Sequence, residues 1–147
     1  MPDAPTLERA ARNQKTKPKV VTGRILLAED DEEMRRLLAS AMRKKRYEVV
    51  EVADGKELID QISESILSGE PFDCVVTDVR MPRLTGTQAL RFIKDAGIEV
   101  PVIVITAFGD NVTRVDVWLL GAAAVLDKPF EVEDLIEEIR KLREYDA

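Results

Sequence analysis

Histidine is absent from all 147 residues. That absence excludes Ser/His/Asp and Cys/His catalysis, His-ligated zinc and a phosphohistidine carrier role. Cys74 is the single cysteine, so no internal disulfide and no cysteine-cluster metal site is available, and a reducing compartment fits. No apolar run approaches the ~20 residues that a membrane helix needs. The opening MPDAPTLERAARNQ has none of the apolar stretch of a secretory leader. An excess of positive charge is also missing: the net charge is −6 with pI near 4.9, which argues against direct nucleic-acid binding, since phosphate contacts need a basic surface. What remains is 45% hydrophobic and 34% charged, too apolar for a disordered chain and long enough to bury one core. The expectation is one acidic, cytoplasmic domain without membrane contact.

Composition shifts near Gly23. Residues 1–23 carry Arg9, Arg12, Lys15, Lys17 and Lys19 against Asp3 and Glu8, a net of +3, which leaves −9 for the rest. With Pro2, Pro5 and Pro18 and few apolar residues, this stretch is predicted to be a flexible basic arm. Beyond it, short apolar runs alternate with helical periodicity. Strands are predicted over 25–28, 48–52, 72–77, 101–106 and 124–126. Helices are predicted after each: one with Met34, Leu37, Leu38, Ala41 and Met42 inward, one with Leu58, Ile59, Ile62 and Ile66 inward, then about 87–95, 111–120 and 132–144. Five βα units with continuously apolar strands predict a parallel sheet covered on both faces, a doubly wound flavodoxin-like (βα)5 fold of strand order 2-1-3-4-5. Ligand sites in such sheets lie beyond the carboxyl ends of the strands.

Those ends carry Glu29 and Asp30 after strand 1, Asp78 after strand 3, Thr106 after strand 4 and Lys128 after strand 5. Three carboxylates and one ammonium in a crevice repel one another unless a cation joins them, and hard oxygen ligands select Mg2+ or Mn2+. A lysine and a hydroxyl opposite the metal suit a phosphoryl group. Asp78, on the central strand, is the candidate nucleophile, forming a mixed anhydride.

The stretches ILLAEDDEEMRRLL, VVTDVRMP, VIVITAFGD and VLDKPF resemble, in that order, the receiver domain of two-component response regulators, most like receivers joined to transcriptional activators. The resemblance covers about residues 24–145. It implies a phosphoprotein in a phosphorelay: Asp78 as the phosphoacceptor, Asp30 as a direct Mg2+ ligand, Glu29 reaching the metal through water, and the backbone carbonyl of Arg80 as a further ligand. It implies Thr106 as the switch hydroxyl, Lys128 as the phosphoryl partner and a Lys128–Pro129 bond of the kind often cis. It further implies a sensor histidine kinase or phosphotransfer protein upstream. Downstream it implies a partner protein on the helix 4–strand 5–helix 5 face, with a homodimer on phosphorylation as another association. Val125 departs from the pattern, because receivers usually carry Tyr or Phe three residues before the lysine, and valine has neither a swinging ring nor a hydroxyl. Arg80 and Phe108 stand where receivers flank the path of hydrolytic water, so slow dephosphorylation is expected.

Taken singly, each residue has a plainer reading. Asp30 to Glu33 suit a helix N-terminus, Asp78 a turn, Thr106 a strand end, and Lys128-Pro129 a helix start. Four residue types meeting at four strand ends outweigh those readings together. Two other functions compete: a constitutive receiver-fold scaffold, which Asp30, Asp78, Thr106 and Lys128 speak against and Val125 leaves open, and an Asp-nucleophile Mg2+-dependent phosphohydrolase, which Arg80 disfavours by standing where a second acid is needed.

Overall fold

A computed structural model of the chain describes residues 22–107 and 111–146, with side chains for 22–107 and 114–142. The arm predicted over 1–23 lies outside these residues except for Thr22 and Gly23, as does Phe108. The strands are β1 (Gly23–Ala28), β2 (Tyr47–Val52), β3 (Cys74–Asp78), β4 (Val102–Thr106) and β5 (Ala124–Asp127). The helices are α1 (Glu32–Lys44), α2 (Gly55–Ser68), α3 (Gly86–Asp95), α4 (Asn111–Leu119) and α5 (Val132–Asp146). All strand pairs are parallel, in the order β2-β1-β3-β4-β5, a flavodoxin-like α/β fold.

Strand alternation divides the core into two layers. Leu26, Ala28, Val75, Val102 and Val104 meet α2, α3 and α4 through Leu58, Ile62, Ala89, Leu90, Ile93 and Val117. Ile25, Leu27, Cys74, Val76, Ile103 and Ile105 meet α1 and α5 through Leu38, Ala39, Met42, Leu135 and Ile139. Each fully buried Leu or Ile contributes about 1.5–3 kcal/mol of transfer free energy, so both layers are needed to hold the strand ends in register.

Two predicted inward positions face out. Leu37 is 56% exposed, because the buried line of α1 runs through Leu38, Ala39 and Met42, leaving Leu37 on the groove between α1 and α5. Ile66 is also 56% exposed. Ser65 takes the inward position instead, its hydroxyl satisfied by the Ile62 carbonyl at 2.7 Å. β3 starts later than predicted, at Cys74. Asp73 closes a reciprocal pair with Arg24, through Asp73 N–H to the Arg24 carbonyl and Arg24 N–H to Asp73 Oδ2, both at 2.7 Å.

The turns that carry the site are tightly specified. Asp31 caps α1 by accepting from the N–H groups of Glu33 and Met34. Asp54 caps α2 through the Glu57 N–H and accepts from Arg83 Nε at 2.9 Å, tying the β2–α2 turn to the β3–α3 loop. The backbone bond to Glu57, then Arg83, hold the Asp54 carboxyl below its ordinary pKa against the opposing effect of burial. At Gly86 an added Cβ would stand 2.2 Å from the Asp78 carbonyl oxygen, so only glycine lets α3 start against the end of β3.

Candidate functional site

β1 delivers Glu29 into the interior, 1% exposed. Its backbone is held by a bond to the Val52 carbonyl and one from Arg35 to its own carbonyl. Its Oε2 accepts from the Asp31 N–H at 3.1 Å. Oε1 is buried with no hydrogen bond among the described residues, the Lys128 ammonium standing 3.5 Å away. Burial, opposed by the Asp31 N–H and reinforced by Asp78, pushes the Glu29 carboxyl up to about 7. Asp30, next in the chain, is exposed.

β3 ends at Asp78, which is buried. Its Oδ1 accepts from the Arg80 N–H at 3.2 Å and its Oδ2 from Lys128 Nζ at 2.6 Å. Lys128 is in turn placed by its backbone N–H, which donates to the Thr106 carbonyl at 2.8 Å, and its peptide bond to Pro129 is cis. Burial pulls the ammonium down, but the hydrogen bond and charge of Asp78, with Glu29 adding, outweigh it and hold Lys128 above its ordinary pKa.

Glu29, Asp30 and Asp78 each offer a carboxylate oxygen, and the three lie within 4.8 Å of one another. This donor set fits a hard divalent cation, and the orphaned Glu29 Oε1 is the independent sign of it. A buried carboxylate oxygen without a partner costs free energy that a cation offsets.

Thr106 takes a different partner. Its hydroxyl donates to Asp127 Oδ1 at 2.8 Å, and Asp127 Oδ2 pairs with Arg114 on α4. The Arg114 hydrogen bond foremost, then Thr106, hold the Asp127 carboxyl below its ordinary pKa. The sequence reading missed Asp127. Its own stretch of sequence marks only an acidic residue closing an apolar strand; the register of β4 against β5 is what sets it opposite Thr106.

The model of the response regulator receiver domain matches residues 25–140, and the chain belongs to this family, a non-catalytic regulatory phosphoacceptor family of two-component systems. It is similar to the response regulator receiver protein CpdR of Brucella abortus, 35% identical over 119 residues, spanning 81% of this chain and 95% of CpdR. It is 37% identical to the response regulator MprA of Mycolicibacterium vanbaalenii over 119 residues, 81% of this chain but 49% of that relative. Among solved structures, the N-terminal domain of an uncharacterized protein from Wolinella succinogenes matches with TM-score 0.76 and 31% identity, over 85% of this chain and 97% of that one. Among the described residues, no helix is long and apolar enough to cross a membrane.

Proposed function

We propose that this receiver is a phosphorylation switch whose acceptor is Asp78, working with Mg2+ or Mn2+ held by Glu29, Asp30, Asp78 and the Arg80 backbone carbonyl. The observation that carries the reading is the meeting of Glu29, Asp30 and Asp78 within 4.8 Å, with Lys128 bonded to Asp78 at 2.6 Å. A bound Mg2+ or Mn2+ would be held by these groups and would supply charge that offsets the carboxylates and the phosphoryl oxygens. A carboxylate oxygen of Asp78 attacks phosphorus, the bond from phosphorus to the donor's imidazole nitrogen breaks, and that nitrogen takes up a proton. Lys128 then leaves its ion pair with Asp78 for a phosphoryl oxygen, and Thr106 supplies a hydroxyl to another.

The phosphoryl donor in this reading is a sensor histidine kinase or a phosphotransfer protein. The response passes through the α4–β5–α5 face to a partner protein, where Val115, Trp118 and Leu119 of α4 are 55%, 51% and 77% exposed. The chain assists only its own phosphorylation and dephosphorylation. Acetyl phosphate with Mg2+ should label wild type at Asp78 and leave Asp78→Asn without a base-labile adduct; equal labelling of that variant refutes the acceptor assignment.

A further inference from the structure

The hydroxyl of Thr106 has one proton to donate, and in this structure that proton is committed to Asp127. Thr106 and Asp127 are direct cross-strand neighbours at the ends of β4 and β5. Strand alternation turns both toward the layer of α2, α3 and α4, whereas Lys128, the next residue, turns to the opposite side and meets Asp78. Asp127 accepts from Thr106 with one oxygen and from Arg114 with the other, so a single carboxylate joins the end of β4 to the first turns of α4. A hydroxyl held by a carboxylate cannot simultaneously serve a phosphoryl oxygen. The two acceptors compete for one proton.

We propose that Asp127 is a positioning residue: it holds the Thr106 hydroxyl away from the phosphorylation site in the resting protein and couples its release to α4 through Arg114. The inference rests on the assignment of Asp78 as acceptor. It supplies a route that Val125 lacks, since Val125 sits two residues earlier on the same side of β5, partly buried among apolar neighbours, with no polar group to follow Thr106. Charge complementarity sets the direction of the coupling. While Asp127 keeps Thr106, its negative charge is divided between a hydroxyl and a guanidinium. When Thr106 turns to the phosphoryl group, Arg114 alone remains on Asp127, and the pull on the start of α4 changes. Trp118, the only tryptophan, lies one helical turn beyond Arg114, on the same side of α4 and half exposed, so it reports that change.

The test titrates the full chain with beryllofluoride and Mg2+, reading Trp118 fluorescence, in wild type, Asp127→Ala, Asp127→Asn and Arg114→Gln. With the latch removed, Asp127→Ala should bind beryllofluoride roughly tenfold more tightly than wild type, the scale of one released charge-assisted hydrogen bond. Asp127→Asn, which keeps an oxygen for Thr106, should fall between them. Arg114→Gln should gain no affinity, because Asp127 then keeps Thr106 alone, and should lose at least about half of the Trp118 response. A merely structural role predicts weaker binding on truncation, so a gain in affinity separates the two. Unchanged or weakened binding in Asp127→Ala, with that variant still folded by circular dichroism and still labelled by acetyl phosphate, overturns the latch and leaves the acceptor assignment standing. An undiminished Trp118 response in Arg114→Gln overturns the route to α4. Failure of wild type itself to take up beryllofluoride or label at Asp78 defeats the acceptor assignment, and the latch with it.

Discussion

Asp127 and Lys128 are neighbours in the chain, yet each builds a different ion pair on a different side of the sheet. Lys128 reaches inward to Asp78, whose side chain is 8% exposed, and stands near Glu29 at 2%. Asp127 reaches outward to Arg114, with side chains 40% and 38% exposed. The inner carboxylates are dry while Lys128 keeps 31% of its side chain exposed, so removing Lys128 leaves Asp78 as an uncompensated buried ion. The outer pair is wet and screened by salt, and such pairs contribute little to stability. Burial suits the inner group to chemistry. Exposure suits the outer group to being made and broken at low cost, as a reversible contact must be.

The largest effects should come from breaking the inner pair. Lys128→Ala should slow labelling by acetyl phosphate about 100-fold, the scale of one lost electrostatic contact to a transferring group; a rate within threefold of wild type removes Lys128 from the site. Next comes the cation. Asp30→Asn should weaken Mg2+ binding about 100-fold and Glu29→Gln about tenfold, a direct ligand mattering more than one acting through water. Equal Mg2+ affinities for wild type and Asp30→Asn by calorimetry contradict the direct role. A third change alters the frame rather than the charges: Gly86→Ala forces a Cβ against the Asp78 carbonyl, 2.2 Å away, and should lower unfolding free energy by about 1–3 kcal/mol. Urea midpoints identical to wild type would mean that the β3–α3 turn yields freely.

The outer pair should give the smallest effect, and a pH signature. Its Asp127 carboxyl is held below the ordinary value by Arg114 and Thr106. Its contribution is therefore present above the unfolded pKa of about 3.9 and is lost as pH falls through the lower folded value. The stability difference between wild type and Asp127→Asn should be flat from neutral pH down to about 5 and shrink below about 4. Urea unfolding across that range checks it, and a difference that grows in acid contradicts the pairing.

The local determinants of this protein are legible in its sequence. Apolar runs of strand length, helix caps such as Asp31 and Asp54, and five βα units dictate a parallel doubly wound sheet, because short-range hydrogen bonding and side-chain periodicity act within a few residues. The same rule places Glu29, Asp30, Asp78, Thr106 and Lys128 at strand ends. Exposure of Leu37 and Ile66 was not legible, since a few tens of degrees of helix rotation, set by the helices packed beside α1 and α2, decide which residue of an apolar stripe is covered. Lys128 was legible as the inward charge at the end of β5, but the partner of Asp127 was not: only the parallel register of β4 against β5, reached through a crossover and set by tertiary packing, puts Asp127 opposite Thr106.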